Sequence, residues 1–303
     1  MLLVKLKFWM APLLLAAFTA CTTAPQKSDE PAPATPVPPA VVKRPPKIAL
    51  ALGGGAARGF AHVGVIAALE EAGIKVDMVL GTSAGSLVGA LYASGKNAVQ
   101  LQEIALKMEE AEITDWMLPF FSRGILRGEA LANYINRQVN NKLIESLPIP
   151  LGIVATDLKS GQGVLFQSGD TGRAVRASSS VPSVFNPVKI GDREFVDGGL
   201  VAPVPVRYAK LMGAELIIAV DISAAPEGNT ADGTVAVLLQ TFAIMGKSIN
   251  EYALQGADIV VRPELVGVKS GDFTAKRRSM DAGKLAMQRL MPQLRAAIES
   301  KSK

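Results

Sequence analysis

The chain has one cysteine and one histidine in 303 residues, and aromatic residues make up only 5% of it. A single thiol excludes an internal disulfide and any cysteine-based zinc cluster, and a single imidazole excludes histidine-rich metal sites. The expected chemistry uses no metal and no cofactor. Basic residues exceed acidic ones only enough for a net charge of +5, and no basic run is interleaved with aromatics. Nucleic acid is therefore not the expected partner. With 49% hydrophobic and 19% charged residues, the chain is too apolar to be disordered and too mixed to span a membrane many times. Whatever it does, it does with few kinds of side chain.

What is present begins with an export signal. Lys5 and Lys7 precede an apolar stretch over residues 8–20, which is short for a bilayer span. The only cysteine, Cys21, follows Thr19 and Ala20. A cysteine at that point resembles a bacterial lipoprotein signal, in which the thiol is acylated and becomes the mature N-terminus. Phe18 departs from the aliphatic residue usual there. Thr22 in place of an aspartate implies sorting to the outer membrane, with the protein facing the periplasm. The competing reading is an ordinary secretory signal with an incidental cysteine. Residues 21–46 hold eight prolines and read as a semi-rigid polyproline II spacer. The expected organisation is a lipoprotein signal over 1–20, a Pro-rich linker over 21–46, and one large domain over 47–303.

In that domain, apolar runs at 48–52, 76–80, 149–155, 216–220 and 259–261 read as buried strands. Helical patterns at 60–71, 87–92 and 101–110 lie between them, and Gly73 ends the first like a C-terminal cap. Alternating strands and helices point to an α/β fold with a mainly parallel sheet covered on both faces. A last helix over 280–300 is expected to bury Leu285, Leu290, Leu294 and Ile298.

Two glycine-rich turns carry the chemistry. GGGAARG, residues 53–59, joins the first strand to the first helix. It lacks the spacing of a dinucleotide loop and the Lys-Ser/Thr of a phosphate loop. An oxyanion hole built from backbone N–H groups remains, beside the reading of a plain tight turn. GTSAG, residues 81–85, matches G-x-S-x-G between a strand and a helix, the context in which a strained turn lifts a serine above a sheet. Ser83 then needs a base. His62 precedes Ser83, whereas triad enzymes with this elbow place histidine last. A carboxylate is the economical alternative, from Asp157, Asp170, Asp192, Asp197 and Asp221. Asp197 stands out because Gly198 and Gly199 follow it, although Asp-Gly is also a common turn.

With these residues together, the chain resembles the patatin-like phospholipases, which are serine lipid acyl hydrolases. GGGAARGFAHVGV is similar to their oxyanion segment, GTSAG to their nucleophile elbow, and DGGL to their Asp-Gly-Ala/Gly element. RASSSVPSVFNPV, residues 176–188, is also similar. The resemblance implies a three-layer α/β/α fold and a Ser83–Asp197 dyad. It further implies oxyanion donors among Gly53, Gly54 and Gly55, with Arg58 following. Ala56 departs from the glycine many members carry. Arg58 is expected to steady the loop or an acidic headgroup, His62 to support the helix, and the apolar residues 116–121 to line an acyl entrance or the core. The implied substrate is a phospholipid or other acyl ester, met at a membrane surface through the lipid anchor. A carboxylesterase or thioesterase on small esters, and a non-catalytic lipid-binding lipoprotein, are the alternatives.

Overall fold

The computed structural model describes residues 43–115, 124–224 and 232–303. Cys21, the signal, most of the Pro-rich segment and the apolar residues 116–121 lie outside the described residues. The chain is already tied to the domain at Arg44. Its backbone exchanges hydrogen bonds with Lys303, and its guanidinium pairs with Glu215.

In chain order, the first half comprises β1 (Ile48–Leu52), α1 (Phe60–Glu71), β2 (Met78–Thr82), α2 (Ala84–Ala93), α3 (Ala98–Lys107), α4 (Glu110–Ile113), β3 (Gly124–Leu126) and α5 (Glu129–Gln138). There follow β4 (Leu151–Asp157), β5 (Gly163–Phe166), α6 (Thr171–Ser178), β6 (Ser183–Phe185), β7 (Val188–Ile190) and β8 (Arg193–Asp197). The last stretch holds α7 (Val206–Leu211), β9 (Leu216–Val220), α8 (Thr234–Ala253), β10 (Ile259–Val261) and α9 (Lys276–Lys301). The main sheet has the order β10-β9-β1-β2-β4-β8-β7, with β5 also on β4, and β3 pairs with β6 apart from it.

β10, β9, β1, β2 and β4 are parallel, and the strands beyond β4 are antiparallel. The short antiparallel strands carry too few apolar residues to stand out in the sequence. β1 is central and buried on both faces, as an all-apolar IALAL strand should be. Its alternate residues feed two cores. Ile48, Leu50 and Leu52 pack with α1, α2 and α9, while Ala49 and Ala51 pack with Val206, Tyr208 and Ala209 of α7. This is the three-layer α/β/α arrangement that the resemblance implied.

α1 is apolar nearly all round because it lies between the sheet and α9. The two helices meet through Gly64 and Gly283. A Cβ on Gly64 would overlap the Met280 carbonyl, and one on Gly283 the Ala61 carbonyl. Gly73, at φ 70°, ends α1 in the left-handed conformation expected of a C-terminal cap. One expectation for α9 fails: Leu285 is 48% exposed, and Met280, Gly283, Met287 and Leu294 form the buried stripe, with Leu290 and Ile298 partly buried beside it. A glycine and two methionines fill the contact that a leucine pattern suggested, because the close approach at Gly64 sets the facing side.

Candidate active site

Ser83 stands between the end of β2 and the start of α2, with φ 53° and ψ −125°. That combination is outside the regions an L-residue ordinarily adopts, and is held only where the surroundings over-determine it. The flanking glycines explain how. A Cβ on Gly81 would collide with Gly85 and Ser86, and one on Gly85 with the Leu52 carbonyl. Ser178 of α6 locks the turn from the other side. Its hydroxyl accepts the Ser83 amide at 2.9 Å and donates to the Val154 carbonyl at 2.6 Å.

Sheet order brings Asp197 to this serine. Thr82 pairs with Val154 across β2 and β4, and Ala155 pairs with Asp197 across β4 and β8. Asp197 is held at every backbone position. Its amide donates to the Ser180 carbonyl at 2.9 Å, its carbonyl accepts from the Thr156 hydroxyl at 2.8 Å, and its Oδ1 accepts from the Gly199 amide at 2.6 Å. The Ser83 side chain lies near enough to the same carboxylate to draw its pKa down. Gly198 is required sterically, because a Cβ there would overlap the Val154 carbonyl. Burial raises the Asp197 pKa to about 6, against the pull of the Gly199 amide and Ser83.

The other aspartates serve elsewhere. Asp157 is held at about 2, chiefly by the Ser160 amide and then by Arg193 and the Ser160 hydroxyl. Asp170 caps α6, Asp192 lies exposed in the turn between β7 and β8, and Asp221 bonds Ser223. His62 is fully buried and donates from Nε2 to the Gly53 carbonyl at 2.8 Å. Burial pushes its pKa down to about 4, so the ring is neutral and props the glycine loop.

The loop itself differs from the expected donor set. The Gly53 amide is taken by the Val220 carbonyl at 3.0 Å, and the Gly54 amide by the Pro203 carbonyl at 2.9 Å. Neither is free to meet an oxyanion. Among the described residues the Gly55 and Ala56 amides have no acceptor, and Ala56 lines the same cavity as Ser83. Gly54 lies against the serine, since a Cβ on it would be 3.2 Å from the Ser83 Cβ. Arg58 steadies the loop by donating to the carbonyls of Ile222, Ser223 and Val268. Burial lowers its pKa, an effect partly offset by Asp221.

Ala56 sits at φ 49°, the conformation that a glycine would adopt without strain. Ala56→Gly is expected to raise stability by about 1 kcal/mol, read as a higher denaturant midpoint with an unchanged slope. A lower midpoint would mean that the loop, not the residue, sets that angle.

Ser178, Ser180 and Thr156 were not singled out from sequence. The signal was the serine run in RASSSVPSVF, but which serine reaches which backbone depends on how α6 lies against β4 and β8.

A parallel α/β sheet with a serine on a strained strand-to-helix turn at its C-terminal edge defines a nucleophile-elbow protein. The chain belongs to the patatin-like phospholipase family, whose model matches residues 50–210 and so includes the glycine loop, Ser83 and Asp197. It is 38% identical over 188 residues to an uncharacterized NTE family protein of Mycobacterium tuberculosis, covering 62% of this chain and 52% of that one. It is 34% identical over 232 residues to mouse patatin-like phospholipase domain-containing protein 6, covering 74% of this chain and 16% of that one. The chain thus spans about half the length of the mycobacterial relative and a small part of the mouse one. Among solved structures, VipD from Legionella pneumophila shares the fold with a TM-score of 0.56 at 14% identity, over 85% of this chain and 67% of that one.

Proposed function

We propose that this protein is a serine lipid acyl hydrolase working through a Ser83–Asp197 dyad. The observation that carries the reading is a strained serine set by the sheet beside a buried carboxylate and an apolar cavity. Ser83 Oγ attacks the ester carbonyl as Asp197 takes its proton. The developing oxyanion accepts from the Gly55 and Ala56 amides, an interaction worth about 3 kcal/mol per donor in other hydrolases. The tetrahedral intermediate collapses, the C–O bond to the alcohol breaks, and Asp197 returns the proton to the leaving oxygen. Water then attacks the acyl-serine and gives a proton to Asp197, which passes it to Ser83 Oγ as the C–Oγ bond breaks and the fatty acid leaves. Membership of a phospholipase family supports a phospholipid or related acyl ester as substrate. A fungal relative named a lysophospholipase, from Coccidioides immitis, is 36% identical over 190 residues, covering 61% of this chain and 12% of that one.

Incubating the purified protein with phospholipid vesicles and with short soluble esters tests this reading. Release of fatty acid from vesicles, together with labelling of Ser83 by a serine-directed phosphonate, is expected. Turnover of soluble esters alone would make it a carboxylesterase or thioesterase, and an unlabelled Ser83 would leave a lipid-binding protein.

Asp197 also sets the pH dependence. A base must be ionised to accept a proton, and its pKa of about 6 lies above the ordinary carboxylate value. Activity is therefore expected to fall about tenfold per pH unit as pH drops below about 6, with a plateau above it. A profile flat down to pH 4 would rule Asp197 out as the base.

The N-terminal signal supports a lipoprotein held in the bacterial envelope, at the outer membrane and facing the periplasm. No helix among the described residues is long and apolar enough to cross a membrane. Cys21→Ser is expected to release the protein from the membrane fraction or leave an unprocessed precursor. Unchanged membrane recovery, with an unmodified N-terminus in the parent, would overturn the lipid anchor.

A further inference from the structure

A cavity of about 260 Å³ opens at Ser83 and follows α2. Ser83, Leu87 and Leu91 line it at successive turns of that helix, and Leu101 and Ala105 of α3 line it as well. Burial deepens along this line. Ser83 and Leu87 are half-buried, whereas Leu91 is 3% exposed and Leu101 is 1% exposed. Among the described residues the lining is overwhelmingly apolar, and its one charged member, Glu110, lies at the exposed end of α4.

We infer that this cavity is a measuring pocket for a single acyl chain of about ten carbons, with Leu91 and Leu101 as its floor. The inference rests on the acyl hydrolase reading of Ser83. Two separate measures give the same length. From Ser83 to Leu91 the helix rises about 12 Å at 1.5 Å per residue. An extended chain advances about 1.2 Å per bond, so roughly ten bonds fill that path. By volume, an apolar cavity of about 150 Å³ accepts the six carbons of benzene, or about 25 Å³ per carbon. At that density, 260 Å³ holds about ten carbons. There is no room for two chains, so a two-chain lipid would leave its second chain outside.

The specificity follows from where the methylenes lie. Each one added within the pocket leaves water and raises kcat/KM by about fourfold, and each one beyond the floor gains nothing or forces the chain to bend. Leu91→Ala lowers the floor by about three carbons, and Ala105→Leu fills about as much space from α3.

The test is a series of p-nitrophenyl esters from butyrate to palmitate, read as the position of the optimum and not as absolute rate. A partly destabilised variant then still reports. The parent is expected to peak near decanoate, Leu91→Ala at a longer chain, and Ala105→Leu at a shorter one. Binding of the free fatty acids to Ser83→Ala protein, by displacement of a fluorescent fatty acid, is expected to follow the parent's profile without any chemistry. A rate that keeps rising to palmitate, or optima that do not move in either variant, would overturn the pocket while leaving the hydrolase reading intact. Fatty-acid binding that peaks near decanoate, with no ester cleaved by the parent, would support the pocket and overturn the hydrolase. Neither cleavage nor chain-length-dependent binding would overturn both.

Discussion

Asp197→Asn is expected to cut turnover by about 10³-fold or more and, at neutral pH, to make the protein more stable. In the proposed mechanism the first effect follows from losing the base, since an amide cannot take the Ser83 proton. The second follows from burial. The folded-state pKa of Asp197 is raised from 3.8 to about 6, so the fold prefers the protonated carboxyl. A group shifted upward contributes stability that is fully present below its unfolded pKa and is lost as pH rises through the folded value. Above pH 6 the ionised carboxylate therefore costs the fold on the order of 2–3 kcal/mol, at about 1.4 kcal/mol per pKa unit. Asparagine keeps an oxygen for the Gly199 amide and carries no charge to desolvate. Its advantage should be largest near pH 8 and vanish by about pH 3, below the unfolded pKa of 3.8, where Asp197 is protonated in both states. Denaturant melts of parent and variant at those two pH values measure it. A variant less stable than the parent at pH 8 would mean that the pull of Ser83 and the Gly199 amide outweighs the burial of charge. Ser83→Ala should match the loss of activity, and the double variant should be scarcely worse than either single one, because the two residues act as a unit.

Gly85→Ala, a change of one methyl group, is expected to cost about 3 kcal/mol and nearly all activity. The added carbon would press on the backbone of Leu52, the last residue of β1, and neither partner is a flexible side chain that could swing away. Relief requires α2 to move off the sheet, which removes the strained angle at Ser83 and the contact with Ser178. A melting curve and phosphonate labelling of Ser83 would report the two losses separately. A protein of full stability and labelling would show that the elbow tolerates a shift between β1 and α2. Gly161 has nothing within 4 Å of a Cβ but a φ of +71°, so Gly161→Ala should cost only backbone strain, about 1 kcal/mol, and leave labelling unchanged.

The strand of residues 48–52, the helix of 60–71 and the serine turn between them and the next helix were legible because each is dictated locally. A run of apolar residues makes a buried strand wherever it pairs, and G-x-S-x-G can hold its turn only with side chains missing on both sides of the serine. The parallel character of the sheet was equally legible, from strands spaced by helices. The antiparallel strands β5, β7 and β8 were not, since three to five residues of mixed polarity carry no clear period.

By itself, the sequence determined a serine on a turn flanked by glycines, the scarcity of histidine, and a glycine loop able to turn sharply beside it. Only the tertiary structure decided which of five aspartates meets Ser83, because that follows from β2 and β8 both flanking β4. It also decided which loop amides are left open. Gly53, Gly54, Gly55 and Ala56 look alike as donors in a sequence, and the carbonyls that occupy the first two belong to Val220 and Pro203, far along the chain. A backbone N–H is identical at every residue, so whether it is spent or free depends on what the fold sets opposite it.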